Sequence, residues 1–206
     1  MLEHELKEPL TLNSKHFFKP TERVSITSRP TREQDVIALF NQLVAGGVIR
    51  GIQVMSTNER FTYDGLYKIS FDLDDALYVY DSEINPLGVP SDTAEALSGK
   101  TTDPRVLEYK YSLDGLVEDF DNQEKNINDV SLCIVWETGE NFVERYGITS
   151  YLIPENWDQR QYHGVTHVLT DIESGAKFCD LIVLEELIDF LNDPDGQAAV
   201  QREKYE

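Results

Sequence analysis

The sequence predicts an α/β protein, a mixed sheet flanked by helices, and three observations point there. Val130 to Trp136 reads VSLCIVW, a nearly unbroken apolar run bounded by polar residues, as expected of a strand buried on both faces. Val36, Ile37, Phe40, Leu43 and Val44 recur at helical spacing, and alternating stretches follow them. With 206 residues, 40% of them hydrophobic and 10% aromatic, the chain can bury a sizeable core, which excludes a disordered segment.

Taken in order, residues 1–30 show no period and are interrupted by Pro9, Pro20 and Pro30. They read as an arm that packs on the domain or on a neighbouring subunit, or as a linker; Phe17 and Phe18 are their apolar cluster. A helix follows, with Thr31 as cap and Gln34 in the capping-box position, and Gly46 and Gly47 end it. Residues 48–55 alternate as a strand. Phe61 to Phe71 is a second extended stretch, with a kink or bulge at Asp64-Gly65. Residues 82–104 read as a loop holding a short helix near Thr93–Leu97. Arg105 to Tyr111 is a strand, and Leu113, Leu116, Val117 and Phe120 mark an amphipathic helix. Beyond Glu137, Val165–Ile172 and Ala176–Leu184 form a hairpin, and a last helix starts near Glu185. The expected units are thus an arm over 1–30, a core over 31–137 and a β-rich C-terminal extension over 138–206.

The strand over 105–111 carries the chemistry. Leu107, Tyr109 and Tyr111 share one face, expected in the core; Glu108 and Lys110 share the other, about 7 Å apart. A carboxylate can hold a divalent cation, and a neighbouring ammonium can polarise a phosphate or a water.

The order helix, strand, Asp-bearing strand, Glu-x-Lys strand, helix, buried strand resembles the core of the PD-(D/E)xK nuclease superfamily, the restriction-endonuclease-like fold. The matching residues are Asp64, Glu108 and Lys110, and the resemblance covers roughly residues 30–137. It implies a Mg²⁺- or Mn²⁺-dependent nuclease. Asp64, Glu108 and the Tyr109 carbonyl would bind the metal, and Lys110 would orient the attacking water or stabilise developing charge. The chain departs from the family pattern in two respects: no Pro precedes Asp64, and about forty residues separate Asp64 from Glu108. Asp72, Asp74 and Asp75 therefore remain rivals for the first carboxylate. Many members carry an acid on the first helix, for which Glu33 and Asp35 are candidates; an acid there is equally explained by the helix dipole.

Other residues point less far. His163 and His167 are four apart, but Gly164 and the β-rich sequence after it argue against a helical metal pair. Cys133 and Cys179 lie in apolar runs without a local base, as buried thiols of a reducing compartment do. There is no Walker A or dinucleotide-binding glycine pattern. No apolar run reaches membrane-span length, and the charged opening is no signal peptide, so a cytoplasmic protein is expected.

The net charge of −20 opposes non-specific approach to nucleic acid. Residues 1–32 hold six Lys or Arg against four Glu; the rest holds twelve against thirty-four acids. DNA, the expected substrate, must then be met through a local basic rim, a metal ion, self-association or a larger assembly, as in restriction or phage defence. The competing expectations are a catalytically silent acidic module within a multi-protein complex and a decoy that mimics DNA.

Overall fold

The computed structural model describes residues 8–12, 24–58, 61–72 and 75–206. Among these residues the elements run α1 (Glu33–Ala45), β1 (Ile52–Thr57), β2 (Gly65–Ile69), α2 (Ser91–Leu97), β3 (Arg105–Ser112), α3 (Leu113–Asp121) and β4 (Val130–Glu137). They continue with β5 (Tyr146–Ser150), β6 (His167–Asp171), β7 (Lys177–Val183), α4 (Leu184–Asn192) and α5 (Pro194–Tyr205).

Seven strands form one mixed sheet in the order β1-β2-β3-β4-β7-β6-β5. Strands β1, β2 and β3 form an antiparallel meander, β3, β4 and β7 run parallel, and β6 and β5 close the far side antiparallel. The β3-α3-β4 unit is a parallel crossover, which requires an intervening helix. Residues 138–206 do not form a layer of their own. They extend the same sheet, because β7 returns to lie against β4.

Burial of the central strands explains the apolar run. Leu132, Ile134 and Trp136 pack with α1 and α4 on one face, while Cys133 and Val135 pack with Leu113, Leu116 and Val117 of α3 on the other. A strand covered twice has no solvent face and hence no alternation.

Local details differ from the sequence reading at the ends of elements. Helix α1 starts two residues after Thr31, with Arg32 at the cap and no side-chain cap bond. Asp35 instead accepts from the backbone N–H of Thr31 at 3.1 Å, so the closing side chain comes from within the helix. Strand β1 begins at Ile52 because Gly51, with φ +80°, turns the chain first. Asp64-Gly65 marks the start of β2. A Cβ on Gly65 would lie 2.4 Å from the Ser56 carbonyl, so only glycine allows this approach. Part of the N-terminal arm is defined: Pro9 bridges Ser28, and Leu10, Leu12, Val24 and Ile26 pack on the larger core cluster. Phe17 and Phe18 lie outside the described residues.

Two buried polar hubs fix the periphery. The fully buried Arg160 guanidinium donates to the carbonyls of Pro86, Gly88, Tyr151 and Val165 at 2.6–3.2 Å. Burial brings it down to about 10, with no carboxylate among those four partners. Glu186 of α4 accepts from Gln201, Lys204 and Tyr205 of α5 at 2.6–2.7 Å and so docks the C-terminal helix.

Because Ile134 is fully buried at the middle of the sheet, Ile134→Asp is expected to abolish the folded state: an unpaired buried carboxylate costs several kcal/mol, comparable to the total stability of a domain. Loss of the cooperative thermal transition by circular dichroism is the expected result.

Candidate active site

The site follows from a mismatch in strand length. Strand β2 pairs with β3 only from Gly65, opposite Leu107, to Tyr67, opposite Arg105. Strand β3 runs on to Ser112, so beyond Leu107 its β2-facing edge has no strand partner. The backbone N–H of Tyr109 faces that gap and donates to Asp64 Oδ2 at 2.8 Å. The N–H and C=O of one residue point to the same side of an extended strand, so the Tyr109 carbonyl is directed toward the gap as well. In return, the Asp64 N–H donates to Glu108 Oε1 at 3.1 Å. The two carboxylates are therefore interlocked through each other's backbone.

The expected open face of β3 is a correction. Glu108 is fully buried, because α3 covers the face that carries Glu108 and Lys110 just as α1 covers the face of Leu107 and Tyr109. A buried carboxylate needs partners, and they come from the acidic stretch over 114–129. Lys125 Nζ forms an ion pair with Glu108 Oε2 and lies 3.2 Å from Asp119 Oδ2. Lys110 Nζ lies 2.8 Å from the same Asp119 oxygen. Asp119 and Lys125 of that stretch turn inward.

The loop after α3 is shaped to deliver Lys125. Gln123 adopts φ 59°, and the N–H groups of Glu124 and Lys125 return to the Asp119 carbonyl at 2.9 and 3.3 Å. Tyr63, next to Asp64, ties the loop down: its hydroxyl donates to Asp129 at 2.5 Å and accepts from the Asn126 N–H at 3.4 Å. No motif search for Asp and Glu-x-Lys would select Lys125. A usable signal existed, since Lys125 is the only basic residue between Lys110 and Arg145.

Glu33, in the first turn of α1, completes the cluster within electrostatic reach of Asp64, Lys110, Lys125 and Asp119. Asp35 is turned away toward Thr31 and Arg32. Among the rivals of Asp64, Asp72 lies at the opposite end of β2, exposed and bonded to the Tyr78 hydroxyl at 3.3 Å. Asp75 opens a short 3₁₀ turn in that same segment, and Asp74 lies outside the described residues.

Four carboxylates (Glu33, Asp64, Glu108 and Asp119) thus face two ammonium groups. Burial and this imbalance act together on the cluster. Burial first, then Asp64, push Glu108 up to about 7 against the pull of Lys125. Burial and Asp64 likewise raise Glu33. Burial alone would strip the Lys125 proton, but Glu108, Asp64 and Asp119 hold it and carry the group upward.

The remaining candidates have structural partners. His163 accepts from the Arg50 N–H at Nδ1 (3.2 Å) and meets Asn85 at Nε2 (2.8 Å), while burial drives it well below the usual imidazole range, so it stays neutral. His167 lies between Thr166, Gln201 and Glu186. Cys133 and Cys179 are free, fully buried thiols, and burial raises both. Among the described residues, no three His, Cys, Asp or Glu side chains stand together as a metal-ligand cluster, and no helix is long and apolar enough to cross a membrane.

Comparison with family models, with curated proteins and with solved structures finds no match.

The raised Glu108 has a signed consequence. Its ordinary value is 4.5 and its folded value about 7, so the folded protein takes up the proton first. Its contribution to stability is therefore complete below about pH 4.5 and is lost as pH rises through about 7. Thermal melts across this range should show the wild type losing stability relative to Glu108→Gln, with no further divergence just above it.

Proposed function

We propose that the chain is a divalent-metal-dependent phosphodiesterase, a nuclease of the PD-(D/E)xK type acting on DNA. One observation carries this reading: Asp64 is docked on the Tyr109 N–H where β2 begins, with Glu108 bonded to the Asp64 backbone and Lys110 two residues along the same face. The α1-β1-β2-α2-β3-α3-β4 order, with the short α2 inserted between β2 and β3, and the β3–β4 parallel pairing support it as well.

The donor chemistry, two carboxylates and a carbonyl, suits a hard cation, which would have to compete with Lys125 and the Asp64 N–H for the Glu108 oxygens. Mg²⁺ takes oxygen ligands, commonly one or two carboxylates with waters, and seldom an all-protein cage. Asp64, Glu108 and the Tyr109 carbonyl would hold it, and the excess of two carboxylates over ammonium groups matches one divalent charge. Bound there, Mg²⁺ or Mn²⁺ would neutralise phosphate charge and lower the pKa of a bound water. Lys110 would stabilise negative charge developing on the phosphate. Asp119 holds both lysines in place. Lys125 keeps charge on Glu108, and Glu33 adds to the negative field around Asp64.

Two features constrain how the protein works. The ligand set requires Glu108 ionised, and its value near 7 makes metal binding pH-dependent. The net charge of −20 leaves little to attract duplex DNA, which supports work within a homo-oligomer or a larger assembly that supplies positive surface. The same charge, together with the pairing of Glu108 by Lys125, favours as second reading a silent acidic module of a multi-protein complex.

The deciding experiment is cleavage of plasmid, linear and single-stranded DNA with Mg²⁺, Mn²⁺ and EDTA. Metal-dependent cleavage is expected, lost in Lys110→Ala and in Asp64→Asn with the fold retained by circular dichroism. Cleavage unchanged in either variant removes the site assignment. Activity should rise with pH through about 7, and Lys125→Met should move that midpoint upward, because it removes the cation that opposes protonation of Glu108.

A separate measurement addresses affinity. Anisotropy titration of the isolated chain should give DNA binding at or weaker than about the micromolar range without metal, tightening when Ca²⁺ replaces EDTA. Tight, metal-independent binding would contradict the electrostatic account.

A further inference from the structure

The cavity at the N-terminal ends of β3, β4 and β7 lies away from the cluster just described. It measures about 650 Å³, within the range of small-molecule sites. Arg105 stands at the start of β3, while Glu108 and Lys110 lie further along that strand and on its other face. The cavity wall is built around a buried polar chain. Asp180 of β7 is 7% exposed, and its Oδ1 lies 2.6 Å from Lys177 Nζ. Asp180 also interacts with the buried Tyr162 hydroxyl, which lies 3.3 Å from the Tyr67 hydroxyl. The Tyr67 hydroxyl in turn meets the Arg105 guanidinium. A phenol–phenol–carboxylate chain thus runs between two cations, Arg105 and Lys177, which are both exposed at the rim. Asp180 sits where β7 otherwise buries only apolar residues from Cys179 to Val183.

We propose that this cavity is a binding site for a nucleoside monophosphate. The chemistry selects the class. The buried Asp180 accepts hydrogen bonds and so favours a ligand edge that donates, such as a nucleobase amino or imino group. Lys177 is paired with Asp180, so Arg105 is the rim group that favours an anion, and Arg matches phosphate oxygens in a two-pronged geometry. Arg105 on β3 and Asp180 on β7 are separated by β4, about 9–10 Å at the spacing of neighbouring strands, so a ligand that meets both must cross β4, and the cavity has room for a base, a sugar and one phosphate. Asp92, also on the wall, tempers the positive rim and disfavours a more highly charged polyphosphate.

The test is calorimetric titration of the whole chain with AMP and with GMP, in EDTA, with adenosine, guanosine and inorganic phosphate as controls. Saturable binding of at least one nucleotide is expected, weakened about tenfold or more by Arg105→Ala and by Asp180→Asn. The matching nucleoside should bind more weakly than the nucleotide. Lys110→Ala should leave binding unchanged, which separates this site from the proposed nuclease centre whether or not that centre is active. Absence of saturable binding by both nucleotides overturns the proposal, and so does binding that survives Arg105→Ala but fails in Lys110→Ala. Equal affinity for nucleoside and nucleotide overturns the rim assignment. Arg105 is exposed, so its variant remains informative if Asp180→Asn fails to fold.

Discussion

Strand β3 is covered on both faces, and the site depends on that constraint. Helix α1 packs against Leu107 and Tyr109, and α3 packs over the side that carries Glu108 and Lys110. A carboxylate under such cover must be paired or neutralised, since an isolated buried charge costs far more than a domain can spare. The chain meets this need with a charged knot drawn from four places: the β2 start, the end of α3, the loop after it and the first turn of α1. Covering helices bring charge to one point, and the short β2 leaves that point an open backbone edge.

The protein contains other buried charges, and the contrast with them marks this cluster. Arg160 has each arm of its guanidinium on a carbonyl. At Glu186, burial opposes ionisation, yet His167 and Lys204 outweigh it and hold the carboxylate well below its usual range. Both hubs are satisfied as they stand and read as structural. At Glu108 the balance tips the other way: two bonds to its oxygens do not offset burial and Asp64, and its proton affinity rises. Glu108 thus remains electrostatically frustrated despite its lysine partner.

The net charge of −20 and this local frustration act at different ranges. Exposed charges separated by more than about a Debye length are screened, so the global charge governs encounter with a polyanion and has little say in the local field around Asp64. The buried cluster is screened much less.

Much of the fold was legible because hydrophobic period reports directly on burial. The VSLCIVW run, the α1 stripe and the hairpin of β6 and β7 each declare themselves locally. Asp64, Glu108 and Lys110 were legible as candidates, and the contact between Asp64 and Glu108 follows from the pairing of β2 with β3. Local sequence could not show that β7 returns beside β4, since that contact joins residues almost fifty apart through a loop and a hairpin. Nor could it show that Glu108 is buried: the alternation of β3 says which residues share a face, and only the placement of α3 decides whether that face sees water. Lys125 was hidden for the same reason. Its sequence neighbours make it look like surface, and only the turn at Gln123, with the Tyr63 tether, carries its ammonium into the core.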